Sequence, residues 1–142
     1  MTSASSPLRL LLTADPEIAV PPEGYGGIER IVDALVRHYR SLGHHVGLVA
    51  RRGSQCPADA LFEWPGTASQ GAGNIWRNSL ALRRATQIFR PALIHSFSRL
   101  AYLLPLLPNR VPKIMSYQRH TGGWQISWAN RLAGRTLRFT GC

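Results

Sequence analysis

The sequence predicts an α/β domain: a doubly wound, mostly parallel sheet of about six strands with helices on both faces. Three observations carry that expectation. Short apolar runs of strand length alternate with longer segments of helical spacing. Glycine and proline punctuate the junctions. The first two strands and the helix between them make a complete βαβ unit, whose crossover should be right-handed.

The elements follow in order. Leu8 to Thr13 reads as a short buried strand that ends before Asp15-Pro16, and the Pro/Gly-rich stretch to Gly27 is a loop. From Ile28 the apolar positions fall at Ile28, Ile31, Val32, Leu35, Val36, Tyr39 and Leu42. That is helical spacing, with Arg30, Asp33, Arg37 and Arg40 on the other face and Gly43 as the stop. His45 to Ala50 reads as the second strand and Ala60 to Trp64 as a short third. A helix is expected over Asn74–Phe89, with Ile75, Leu82, Ala85, Ile88 and Phe89 sharing a face. Pro91 to Ser96 gives a fourth strand, Leu100 to Leu107 a helix-prone segment interrupted by Pro105, and Pro112 to Tyr117 a fifth strand. Gly122-Gly123 opens a loop or helix towards Leu132, and Thr136 to Thr140 is a sixth strand. No linker divides the chain and no fixed-period repeat is present, so residues 1–142 are read as one domain.

Composition narrows the class without deciding the partner. With 142 residues, 44% of them hydrophobic, the chain can bury one core. It is too short for two α/β domains of ~100–150 residues each. Lys+Arg number 17 against 7 Asp+Glu, a formal charge of +10, and Lys113 is the single lysine. Arginine forks suit phosphate and anionic head groups, and a solvated arginine-rich surface fits the composition equally well. Nucleic acid is disfavoured: only Arg51-Arg52 and Arg83-Arg84 are adjacent, and no basic run is interleaved with aromatics. Cys56 and Cys142 make neither a CxxC pair nor a metal-ligand spacing, as in a reducing cytosol. No apolar run reaches signal-peptide or membrane-span length, so a cytoplasmic protein is expected, with peripheral membrane contact open.

In an open parallel sheet, ligands bind beyond the carboxyl ends of the strands. Three sets of residues follow strands: Gly24–Arg30, His95-Ser96 and Arg119-His120-Thr121. Gly26-Gly27 puts bare backbone before a helix, where unpaired N–H groups favour an anion or a sugar oxygen. The same glycines also suit a tight turn that only packs the helix onto the sheet. The dinucleotide fingerprint fails because its third glycine position holds Glu29, and no Gly-Lys-Ser/Thr completes a P-loop. An oxidoreductase would also need an acid ending the second strand, which instead ends in Ala50-Arg51. His95, in an apolar strand, also fits as a satisfied packing residue.

The run Pro22-Glu23-Gly24-Tyr25-Gly26-Gly27-Ile28-Glu29-Arg30 leads to a helix, then Gly43-His44-His45-Val46 and the strand Leu48-Val49-Ala50. Together these resemble the opening of family-4 retaining glycosyltransferases of the GT-B type, with their GG-x-E turn, helix and G-H-x-V entry. Leu93-Ile94-His95-Ser96 is similar to that family's fourth strand and histidine, and Lys113 to Gly122 to its fifth strand ending in a histidine. The resemblance spans Leu8 to Cys142.

It implies the Rossmann-like, acceptor-side N-terminal domain of an enzyme transferring a hexosyl-type sugar, with retention, from a nucleotide-diphosphate sugar. The acceptor would be a glycan, a lipid or a small molecule. Gly26 and Gly27 would approach the acceptor and the donor's phosphates, with Glu29 capping the helix. His120 would stand near the reacting sugar, and His95 would support that wall of the cleft. Arg119, Thr121 and Arg99 would meet substrate or phosphate. No metal and no cofactor beyond the donor are implied. The family holds its donor mainly in a C-terminal domain, through a basic pair and a Glu-x7-Glu motif that this sequence lacks. The expectation is therefore a C-terminally incomplete N-terminal piece, inactive alone. From another class, a non-catalytic basic module binding an anionic membrane or polymer stands as the alternative.

Overall fold

The computed structural model describes residues 6–68, 71–117 and 123–141. Six strands form one sheet: β1 (Arg9–Thr13), β2 (His45–Ala50), β3 (Ala60–Glu63), β4 (Leu93–Ser96), β5 (Lys113–Tyr117) and β6 (Leu137–Gly141). Their order is β3-β2-β1-β4-β5-β6, and every pairing is parallel. The sequence turns back across the sheet between β3 and β4, so β1 and β4 are neighbours: Thr13 pairs with Val49 on one side and, 83 positions along the chain, with Ser96 on the other. The α/β, doubly wound architecture expected from the sequence is the observed one.

Helices α1 (Gly27–Ser41), α2 (Ala72–Phe89) and α3 (Gly123–Ala133), with a 3-10 segment at Leu100–Leu106, cover the faces. On one face α1 seats Val32 and Val36 on Leu10, Leu12, Val46 and Leu48. On the other, Leu82, Ala85 and Phe89 of α2, Leu103 of the 3-10 segment and Ala129 and Ala133 of α3 pack on Leu11, Ile94, Met115 and Leu137. Strand alternation sends neighbouring residues into opposite cores, which is why Leu10, Leu11 and Leu12 are all buried.

Two helix faces differ from expectation. In α1 Ile31 is exposed, as is the C-cap residue Leu42, and the buried stripe runs through Glu29, Val32 and Val36. At 100° per residue, Ile31 and Leu42 fall to the flanks of that stripe. In α2, Ile88 is exposed while Asn78, Ser79 and Thr86 are buried. Their polar atoms are satisfied there: Asn78 accepts from the Gly66 amide at 2.9 Å and donates to the Tyr102 hydroxyl at 3.2 Å, and Thr86 donates to the Leu82 carbonyl at 2.8 Å. The Leu100–Leu106 segment is 3-10 rather than α-helical, consistent with Pro105 supplying no amide. Gly43 closes α1 as expected, at φ +90 with its amide on the Arg40 carbonyl at 2.9 Å.

Lys113 starts β5 and is 1% exposed. Its ammonium donates to the carbonyls of Asn109 at 2.8 Å and Val111 at 2.7 Å and to Thr136 Oγ1 at 3.3 Å. Desolvation pushes its pKa down from 10.5 to about 8. The penalty for the charged form is complete below the folded value and is relieved as pH rises towards the unfolded one, where the unfolded chain still holds the proton. Urea midpoints of wild type and Lys113→Met should therefore move in the wild type's favour between pH 8 and 10.5. A difference that stays constant over that window contradicts the assignment. Cys56 is free and buried, its thiol pushed up to about 12 chiefly by desolvation, so it supplies no thiolate near neutrality.

Candidate functional site

The carboxyl ends of β1 and β4 meet where the strand order reverses, the position at which open α/β sheets receive ligands. Three buried hydroxyls join them. Thr13 Oγ1 lies 2.9 Å from Ser96 Oγ and 2.8 Å from Ser98 Oγ, and the two serines are 3.1 Å apart. This triangle holds the two strand ends together and satisfies itself.

Beyond β1, the loop from Asp15 to Gly26 folds back on the start of α1. Trp64, after β3, donates its indole N–H to the Ala14 carbonyl at 2.6 Å and so fixes where that loop begins. Gly26 caps α1, its carbonyl accepting the Arg30 amide at 3.1 Å, while the Arg30 side chain donates to the Gly24 carbonyl at 2.6 Å. A Cβ on Gly26 would stand 2.7 Å from Pro22 Cβ, so the turn requires glycine there. A Cβ on Gly27 would meet nothing within 4 Å.

Between loop and helix lies a pocket of about 270 Å³, lined by Asp15, Glu17, Ile18, Tyr25, Gly26, Gly27, Ile28 and Glu29. Its acidity departs from the phosphate-receiving turn that the glycines suggested. Glu29, in the first turn of α1, is 4% exposed, and its Oε2 lies 3.0 Å from the position of a Gly26 Cβ. A second pocket of about 260 Å³ lies beyond β2 and β3, with Arg51, Arg52 and Trp64 in its lining. It is the basic counterpart of the glycine pocket.

His95 lies on the α1 side of the sheet. Its Nε2 is 2.8 Å from Ser116 Oγ, which is 2.7 Å from Thr140 Oγ1, and its ring packs on Phe97 at 4.4 Å. Burial lowers its pKa below the usual 6.5, so the imidazole is neutral near pH 7. Of the sequence-derived residues, Gly26 and Gly27 share one pocket, and His95 stands apart from it across the β1–β4 junction. Arg119, His120 and Thr121 lie outside the described residues. Sequence reasoning missed the Thr13–Ser96–Ser98 triangle, which nothing local announces. It also missed the acidic pocket, although a signal existed: Asp15, Glu17, Glu23 and Glu29 are four of the chain's 7 acids, gathered in one loop and helix start.

The model of Glycosyltransferase Family 4 matches residues 25–140. The chain belongs to that family. The family match begins at Tyr25, in the glycine turn, and runs through β6. No curated protein matches the family member by sequence. Among solved structures, it is similar to AviGT4, a glycosyltransferase involved in avilamycin A biosynthesis, at 24% identity and TM-score 0.54, covering 80% of this chain and 33% of that one. It is also similar to MurG of Acinetobacter baumannii, at 12% identity and TM-score 0.58, covering 94% of this chain and 41% of that one. These likenesses establish a shared fold. The family member thus spans well under half the length of either protein.

Proposed function

We propose that this chain is the N-terminal, acceptor-side domain of a retaining glycosyltransferase of the GT-B type. It would transfer a hexosyl-type sugar from a nucleotide-diphosphate sugar to a carbohydrate or lipid acceptor, with a C-terminal domain holding the donor. The observation that carries this reading is the glycine turn at the β1–β4 switch point, inside the family match.

The chemistry asked of this half is placement. Gly26 and Gly27 leave the pocket mouth bare of side chains, so an acceptor can approach backbone closely. Retention would proceed by front-face displacement, with the leaving phosphate taking the acceptor's proton. His120, with Arg119 and Thr121, is assigned to the donor's sugar and phosphate, and His95 to supporting the wall through Ser116. Neither cofactor nor metal is part of this reading. A cytoplasmic location with peripheral membrane contact belongs to the same proposal.

Pairing the chain with a C-terminal donor domain should give transfer with retained anomeric configuration. Gly27→Val, which has room for its side chain, should then lower kcat/KM by about 100-fold with stability unchanged. A pair that binds sugar nucleotides no better than this chain alone, or an inverted product, would overturn the reading. The charge of +10 favours one other reading, a basic module on an anionic surface. Salt-dependent vesicle binding that survives both Gly27→Val and His120→Ala, without transfer, would mark that case.

A further inference from the structure

We propose that the outer surface of α2, the 3-10 segment and α3 docks the protein on a membrane rich in anionic phospholipid. This rests on the peripheral membrane contact in the proposed function and gives that contact a face and a lipid class.

Charge is divided along the chain. All 7 acids lie at or before Glu63, and 11 of the 17 Lys+Arg lie after it. The fold turns that division into one in space. Helix α1 covers one face of the sheet, and its basic residues are balanced there, Arg37 by Asp33 and Arg40 by Asp59. Helix α2, the 3-10 segment and α3 share the core on the other face. These three elements contain no carboxylate, so the exposed Arg77, Arg83, Arg84 and Arg131 have no acid on their own elements to neutralise them.

The same elements expose apolar side chains. Trp76 and Trp128 are 67% and 53% exposed, and Leu80, Ile88, Leu104 and Leu132 are exposed with them. Along α2, Trp76, Leu80, Arg84 and Ile88 follow one another at steps of four, so apolar and basic side chains share one outward stripe. That mixture suits a helix lying in a membrane interface: tryptophan and leucine enter the headgroup layer while arginine forks meet lipid phosphates. Between α2 and the 3-10 segment, a pocket of about 420 Å³ has Arg83 and Arg90 in its lining and no carboxylate, giving a headgroup phosphate a seat.

Charge and apolarity together select this occupant. Two copies of the chain meeting through this face would oppose like charges. A nucleic acid would engage the arginines and tryptophans but would set its phosphates against Leu80, Ile88, Leu104 and Leu132. A zwitterionic bilayer would take the apolar side chains and leave the arginines without counter-charge.

The test is cosedimentation of this chain with vesicles of phosphatidylcholine alone and of an equal mixture with phosphatidylglycerol. Binding should require phosphatidylglycerol and weaken as salt is added. Arg83→Gln with Arg84→Gln should weaken it about 30-fold, roughly fivefold for each arginine at a charged surface. The charge-matched pair Arg37→Gln with Arg40→Gln, on α1, should weaken it by less than about threefold. Brominated lipid should quench the tryptophan emission of the bound protein, and Trp76→Phe with Trp128→Phe should remove most of that quenching. The proposal is overturned if phosphatidylcholine alone binds the chain equally well, if the two arginine pairs weaken binding alike, or if the quenching survives both Trp→Phe changes. Preferential binding of single-stranded RNA, or a dimer that binds no vesicle, overturns it too. No sugar nucleotide enters the experiment. Failed vesicle binding therefore leaves the glycosyltransferase reading standing, and a vesicle-bound chain that never supports transfer sinks that reading alone.

Discussion

Trp64→Ala should lower the unfolding free energy by about 3–5 kcal/mol, the usual cost of emptying a large aromatic site. Trp64 is 3% exposed, and its ring lies 5.0 Å from that of Tyr102 at 49°. The indole N–H on the Ala14 carbonyl adds a second loss, because that acceptor sits in the core beside β1 with its partner removed. Against a total of about 5–15 kcal/mol, this one change would bring the domain close to unfolding. Trp64→Phe, which keeps a ring, should fall between. Urea denaturation checks the series, with Trp76→Ala as the comparison: Trp76 is 67% exposed and should change stability by about 0.5 kcal/mol or less. Equal midpoints for Trp64→Ala and Trp76→Ala would show that Trp64 does not anchor the loop.

Gly26→Ala and Gly27→Ala should behave in opposite ways although the residues adjoin. At Gly26 the new methyl would sit 2.7 Å from Pro22 Cβ and 3.0 Å from Pro22 Cγ. A proline ring has no alternative rotamer that clears the space, so the loop itself must shift, at about 1–3 kcal/mol. The same methyl lies 3.0 Å from Glu29 Oε2, so the pocket's buried carboxylate moves with the turn. At Gly27 the methyl points into open space, and the stability change should stay within about 0.5 kcal/mol. Denaturation midpoints and the amide shifts of the Asp15–Glu29 segment measure both. Comparable destabilisation by the two substitutions would refute the role given to Pro22. This asymmetry is also why Gly27, and not Gly26, is the position for testing activity.

Periodicity made the sheet legible. The expected βαβ unit became β1, α1 and β2 with ends displaced by a residue or two, because strand runs such as Val46–Ala50 carry no polar side chain and lie between turns at Gly43 and Gly53. Periodicity was weaker on the helices. Ile88 and Ile31 look like core residues, yet each lies off the stripe that meets the sheet, while Asn78 and Thr86 are buried with their hydrogen bonds met, Asn78 by Gly66 and Tyr102 and Thr86 by Leu82. Hydrophobicity says that a residue gains by burial; only packing says which residue obtains it.

The sequence by itself determined the alternation of strands and helices, the glycine turn at residues 24–27 and the family to which they belong. These depend on local spacing and on backbone that only glycine allows, and both can be read along the chain. The tertiary structure decided the character of the site. Thr13 meets Ser96 and Ser98 only because the strand order reverses between β1 and β4. Asp15 and Glu17 join Glu29 only because the loop, held at Ala14 by Trp64, folds back on the first turn of α1. Charge in a pocket is a sum over groups distant in sequence, and that sum turned a glycine motif expected to face phosphate into an acidic recess.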